Sequence, residues 1–174
     1  MKRWLVLAIA VVVLAVAAAG TFAGLYFTKN TDSEPVAAPQ CDEKIFGHIR
    51  SLVRRGDHYV LRFDPAWFTL GETANTAAAE DGAVEPGEPV PNDVYVIDES
   101  HRLLTYLVPP GAHVTVLVNN PTGILSTPIS VAELAEIVRT GKSSRRKLFE
   151  TLESGVWVRY RIDTACSLDQ QYRP

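Results

Sequence analysis

The stretch from Trp4 to Phe27 reads WLVLAIAVVVLAVAAAGTFAGLYF and runs for 24 residues without a charge. At ~1.5 Å per residue, a helix of that length covers about 36 Å, enough to cross a ~30 Å hydrocarbon core with some tilt. A lone segment in lipid has to be helical, because nothing else satisfies its backbone there. Lys2 and Arg3 precede it, which favours an N-terminus inside and everything after Phe27 outside. The rival reading is a cleaved signal peptide, with small residues at Ala17, Ala18, Ala19 and Gly20. The apolar run continues past them through Phe22, Leu25, Tyr26 and Phe27. Signal-peptide cores usually stop after ~7–15 residues, so the length favours an uncleaved anchor. A lipoprotein fits less well, since Cys41 follows Ala38-Pro39-Gln40 and lies far from the apolar run. The expectation is a single-pass cell-membrane protein with a cytoplasmic N-terminus. Its partner there is the membrane itself, contacted through residues 4–27.

Residues 1–28 form the anchor on this reading, and residues 29–40, polar and small with Pro35 and Pro39, form a linker. Residues 41–174 remain as one extracytoplasmic domain, long enough for a single hydrophobic core. Of 17 Lys and Arg, Lys2 and Arg3 precede the anchor, which leaves 15 basic against 20 acidic residues outside, a net of about −5. Such a domain is a poor nucleic-acid binder. Its two cysteines, Cys41 and Cys166, form an even pair in an oxidising compartment and are disulfide candidates. They are read as flanking the first and last strands.

Alternation is clearest from Lys44 to Asp64. With Arg54-Arg55-Gly56 as a three-residue hairpin loop, Val53 would face Asp57, Ser51 Tyr59, Ile49 Leu61 and Gly47 Phe63. Residues 65–70 then leave the strand. A short helix is expected over 71–81, with Thr73 as N-cap and Gly82 as stop. The proline-rich 83–93 reads as a loop. Strands follow at 94–98, 102–108 and 112–118, with Ala112, Val114 and Val116 inward, and residues 119–128 read as a loop. Ser130 and Glu133 make a capping box for a helix over 130–140, ended by Gly141. A last strand covers 155–163, and the remainder is a tail. The pattern is mainly β (α+β), with about six strands and two helices after one transmembrane helix. A small antiparallel β-barrel, OB-like, fits best, since no βαβ repeat calls for a parallel sheet.

The strings FGHIRSL (46–52), RFDPAWF (62–68), GETANTAAAEDG (71–82), PGEPVPNDVY (86–95) and LDQQYRP (168–174) resemble a family of bacterial exported or membrane-anchored proteins. The resemblance covers most of the exterior domain. It implies a cell-envelope protein of actinobacterial type and carries no established activity, so it assigns no catalytic residue.

The residues offer few assembled chemistries. His48, His58, His101 and His113 lack the short spacing of zinc ligands, and no metal or cofactor is expected. The acidic loop residues Glu80, Asp81, Glu85, Glu88 and Asp93 lack the ordered alternation of a calcium loop. Arg55-Gly56-Asp57 sits at a hairpin tip, where such residues are ordinary turn formers. Arg145, Arg146 and Lys147 belong to a basic cluster suited to an anionic envelope polymer or lipid headgroups, against the ordinary reading of a basic loop with no partner, and Trp157 with Arg159 suits either a ligand platform or packing under a loop. The leading expectation is a membrane-anchored envelope-binding or accessory module with a polymer or protein partner. The alternative is a sortase-like cysteine transpeptidase using Cys166, with His101, His113 and Arg161 at hand, although Ile162-Asp163-Thr164-Ala165-Cys166 departs from the Thr-Leu-x-Thr-Cys pattern.

Overall fold

The computed structural model describes residues 41–98 and 102–173. The expected anchor and linker, and His101, lie outside the described residues.

Strands β1 (Glu43–Arg55) and β2 (His58–Leu70) form a long antiparallel hairpin. Its connection is shorter than the spacing suggests. Arg55 pairs with His58, leaving Gly56 and Asp57 as a two-residue turn, with Gly56 at φ +62°. Two-residue turns match the right-handed twist of the flanking strands, and a glycine supplies the positive φ they need. The pairing therefore differs from the three-residue reading. Val53 faces Val60 and Leu52 faces Leu61, so Leu52 points inward and Val53 outward. The register then shifts between Ile49 and Ser51, a bulge at Arg50, and Ile49 pairs with Phe63. The extra residue swaps the phase of β1. Leu52 and Ile49 thus both face the core, although they lie three positions apart.

The remaining elements are α1 (Gly71–Glu80), β3 (Val94–Ile97), β4 (Leu104–Val108), β5 (His113–Asn120), β6 (Gly123–Ile129), α2 (Val131–Thr140), β7 (Val156–Arg161) and β8 (Thr164–Gln170). Eight strands are present among the described residues, against about six expected. Strand β2 continues through Pro65 to Leu70, because its distal half pairs with β3. It runs directly into α1 through Gly71 at φ +58°, and Leu70, not Thr73, holds the N-cap position. Residues 123–129 form β6 where a loop was expected. The expected tail forms β8, which takes Cys166 into a strand.

Five of these strands close a barrel. β1 pairs with β2 and β7, β2 with β4, and β7 with β8, all antiparallel. β4 and β8 complete the ring in parallel, Leu107 against Thr164. β8 also runs parallel to β5, which extends the sheet to β6. The barrel is thus mixed, not purely antiparallel. Its interior is filled by Leu61, Phe63, Val108, Val158, Ala165 and Leu168, all nearly inaccessible to water. Each large side chain so buried contributes about 1.5–3 kcal/mol relative to exposure.

Helix α2 packs its apolar stripe, Val131, Leu134 and Ile137, into the same core. Ser130 Oγ accepts from the Glu133 N–H at 3.1 Å, and Gly141 at φ +72° ends the helix. A smaller cluster of Ala74, Ala78 and Val90 seats α1 beside β3.

Strands β1 and β2 approach closely at Gly47, opposite Pro65. A methyl group there would overlap the Asp64 carbonyl oxygen and meet Pro65 Cα at 2.9 Å. Gly47→Ala should therefore cost about 1–3 kcal/mol, read as a lower urea midpoint, and an unchanged midpoint would show that the two strands can part there freely.

Candidate functional site

The two cysteines are bonded to each other. Cys41 and Cys166 are 125 residues apart in sequence with Cα atoms 6.2 Å apart, within the usual disulfide range. On a chain-entropy account, closing so long a loop adds up to ~4–5 kcal/mol. Neither cysteine is left as a free thiol, so in this form Cys166 offers no thiolate for transpeptidation.

The basic loop after α2 is partly spoken for. Arg146 donates from Nε to Glu133 Oε1 at 2.8 Å and from Nη2 to Oε2 at 3.1 Å. Ser143 Oγ donates to Oε1 as well, at 2.8 Å. Glu133 therefore turns away from the capping-box return to its own N-terminus. Burial pushes its carboxyl up, but the Ser143 and Arg146 hydrogen bonds and the charges of Arg146 and Arg145 outweigh this and hold it below its ordinary value of 4.5. Arg145 and Lys147 remain exposed.

Trp157 points to the outer surface but is covered. Its ring lies 5.2 Å from Phe46 and 5.8 Å from Phe68, and Lys44 Nζ stands 3.9 Å over its centroid. Its Nε1 donates to Gln171 Oε1 at 2.7 Å. This packing leaves little ring surface for a ligand. Arg159, two residues on, is exposed.

A cleft of about 320 Å³ opens between β1, the end of α2 and the turn at Leu152–Ser154. His48, Arg50, Asp98, Ile137, Leu152 and Glu153 line it. Burial pulls the His48 imidazole below its ordinary value of 6.5, against the upward pull of Asp98, with Arg173 and Arg50 adding to the fall. Behind it, Arg50 donates from Nε to the buried Asp64 Oδ2 at 2.8 Å, while Asp64 Oδ1 has no hydrogen-bond partner. The bulge at Arg50 places that guanidinium over Asp64. The cleft can hold a small polar molecule, but its arginine is already neutralised by an internal carboxylate.

The outer face of β1, β2 and β4 was hidden to sequence reasoning. Val53 pairs with Val60, Val60 with Leu107, and Leu107 with Thr164. Inside, the neighbouring row is Leu52, Leu61 and Tyr106, all buried. The outer row is therefore apolar and faces water, with Val53 46% and Leu107 38% exposed. Arg62 flanks it and donates from Nη1 to Thr105 Oγ1 at 2.7 Å. Arg55 and Arg161 stand exposed at the turn ends. At the β7–β8 turn, Ile162 is 82% exposed and holds φ +58°, a conformation unusual for a β-branched residue. Asp57, at the other turn, is engaged by His58 Nδ1 at 2.9 Å. The signal that would have exposed this row is the two-residue turn at Gly56, which reverses the faces of Val53 and Leu52. Comparison with known protein families, curated proteins and solved structures finds no match.

Two outcomes follow from the bridge and the ion pair. The Cys41→Ser, Cys166→Ser double variant should lose about 2–5 kcal/mol of stability in urea unfolding, and the native chain should take up no thiol reagent until reduced. Glu133→Gln should lose about 1.5–3 kcal/mol at neutral pH through its charge-assisted hydrogen bonds. Because the folded pKa of Glu133 lies below the unfolded one, its contribution is complete above the unfolded value and fades as pH falls through the folded value. Urea curves of variant and parent should thus converge in acid, and a constant gap at all pH values would show that the carboxylate charge is not what Arg146 holds.

Proposed function

We propose that this chain is a membrane-tethered, extracytoplasmic binding domain that holds an anionic polymer of the cell envelope on the outer face of its barrel. The observation that carries the reading is the outer apolar row of exposed Val53, half-buried Val60 and exposed Leu107, rimmed by Arg55, Arg62 and Arg161. Apolar contact with a sugar or polyol backbone, and guanidinium contact with its acidic groups, suit that surface.

Strand order supports the same reading. In chain order the barrel strands are β1, β2, β4, β7 and β8, with the first joined to the fourth and the third parallel to the fifth. We read this as an OB-type barrel, with α2 inserted between its third and fourth strands. Barrels of that type take oligosaccharides and oligonucleotides on the face of their second and third strands, between the first and last turns. That face and those turns are where the apolar row, Arg55 and Ile162 lie. Strain such as that at Ile162 persists where the surroundings impose it, often beside a binding surface. Among anionic polymers, an extracytoplasmic location favours one of the envelope over nucleic acid. The disulfide supports an oxidising compartment, and the Trp4–Phe27 stretch supports the tether.

The test uses the full chain in detergent with two fluorescent polymers, an acidic polysaccharide and a neutral one of equal length. Anisotropy should show salt-sensitive binding to the acidic polymer alone. Arg62→Glu and Arg161→Glu together should weaken it at least ~tenfold, a loss of ~1.4 kcal/mol, while Arg145→Glu leaves it within about twofold. Equal binding of both polymers, or a larger loss at Arg145, would move the ligand off the barrel face.

A further inference from the structure

We propose that β6 is a self-association edge, along which two copies of this chain pair antiparallel about a two-fold axis at Leu125. Strand β6 pairs with β5 from Gly123–Asn120 to Ile129–Val114. Among the described residues no strand pairs with its other side. Its outward N–H and C=O groups therefore form a row open to a further strand, the arrangement that exposed edges present to other chains.

Edges of this kind are normally blunted by charge, by proline or by shortness. The other edge of the sheet, β3, is only four residues long and is flanked by Asp93 and Asp98. Strand β6 has Pro128 near one end but no charge, for the chain carries no Asp, Glu, Lys or Arg from Val114 to Ala132, although 21% of the whole sequence is charged. Neighbouring residues on the two faces of β6, Ile124 and Leu125, are 38% and 45% exposed. That pattern selects a second copy as occupant. About a two-fold axis each side chain meets its own counterpart or a near neighbour of it. A charged edge would then repel itself, whereas an uncharged one meets no such cost.

Pro128 sets the register. It has no N–H to give, which confines the pairing to Gly123–Thr127. The centre of that segment is Leu125, so Leu125 meets Leu125 of the second copy, Ile124 meets Ser126, and Gly123 meets Thr127. Five residues a side bury less than the ~1,200 Å² of a stable interface. The association is therefore reversible and concentration-dependent.

Sedimentation of the full chain in detergent over a concentration series, with no ligand added, tests this separately from polymer binding. The parent chain should show a reversible monomer–dimer equilibrium. Leu125→Lys and Leu125→Asp should each raise the dimer dissociation constant at least tenfold with no change in thermal midpoint, since the position is exposed. The two variants mixed in equal amounts should recover the dimer, because opposite charges then meet across the axis. A parent chain that stays monomeric overturns the proposal and leaves the edge to a strand from a different protein. A dimer that survives both substitutions, or a mixture that remains monomeric, overturns it equally.

Discussion

Strand β8 is the piece on which barrel closure depends. It is hydrogen-bonded to β7 on one side and meets β4 and β5 on the other, both in parallel. Without the single meeting of Leu107 and Thr164, reinforced by the Leu107 N–H donating to the Asp163 carbonyl at 2.7 Å, β4 would be an open edge. Polar side chains of this strand also serve structural roles. Asp169 accepts from Thr115 Oγ1 at 2.7 Å, and Gln170 accepts from the buried Leu117 N–H at 2.8 Å while donating to the Thr151 carbonyl. A buried backbone group left unpaired costs about as much as a lost hydrogen bond. Gln170 thus links β5, which has run past the end of β8, to the turn that precedes β7.

These same side chains explain why β8 was hard to read. Its sequence, TACSLDQ, has neither the β-branched density nor the clean alternation of an exposed strand. Its propensity is overridden by neighbours on both sides. β6 was obscured in another way, since Pro128 and Gly123 are loop signals in isolation and gain a strand conformation only from β5. By contrast, β4, β5 and α2 were legible almost to the residue. Leu104, Tyr106 and Val108 alternate, as do Ala112, Val114 and Val116, and Ser130 with Gly141 bounds the helix. Local signals suffice where one face alone is buried.

The first hairpin shows how one residue of turn length propagates. Alternation identified both strands, yet it could not say whether Val53 or Leu52 faced inward, because the bulge at Arg50 makes both parities apolar over part of β1. The face that carries the proposed site depends on that choice. The disulfide needed no such phase information and was readable from the count of cysteines, although its position inside β8 was not. Arg146 and Trp157 stand as binding candidates in the sequence because it cannot show that Glu133, or Phe46 and Phe68, already occupy them.

The bridge has a mechanical side. Residues 1–40 enter the described domain at Cys41, two positions before β1 begins. Tension arriving along that segment would otherwise peel β1 from its neighbours one hydrogen bond at a time, the weakest way to load a sheet. Because Cys41 is covalently joined to Cys166, the pull passes instead into the middle of β8, which is held by strands on both flanks. Failure there requires many hydrogen bonds to shear together. The linkage therefore sets the direction in which the domain resists force, a property distinct from its contribution to equilibrium stability.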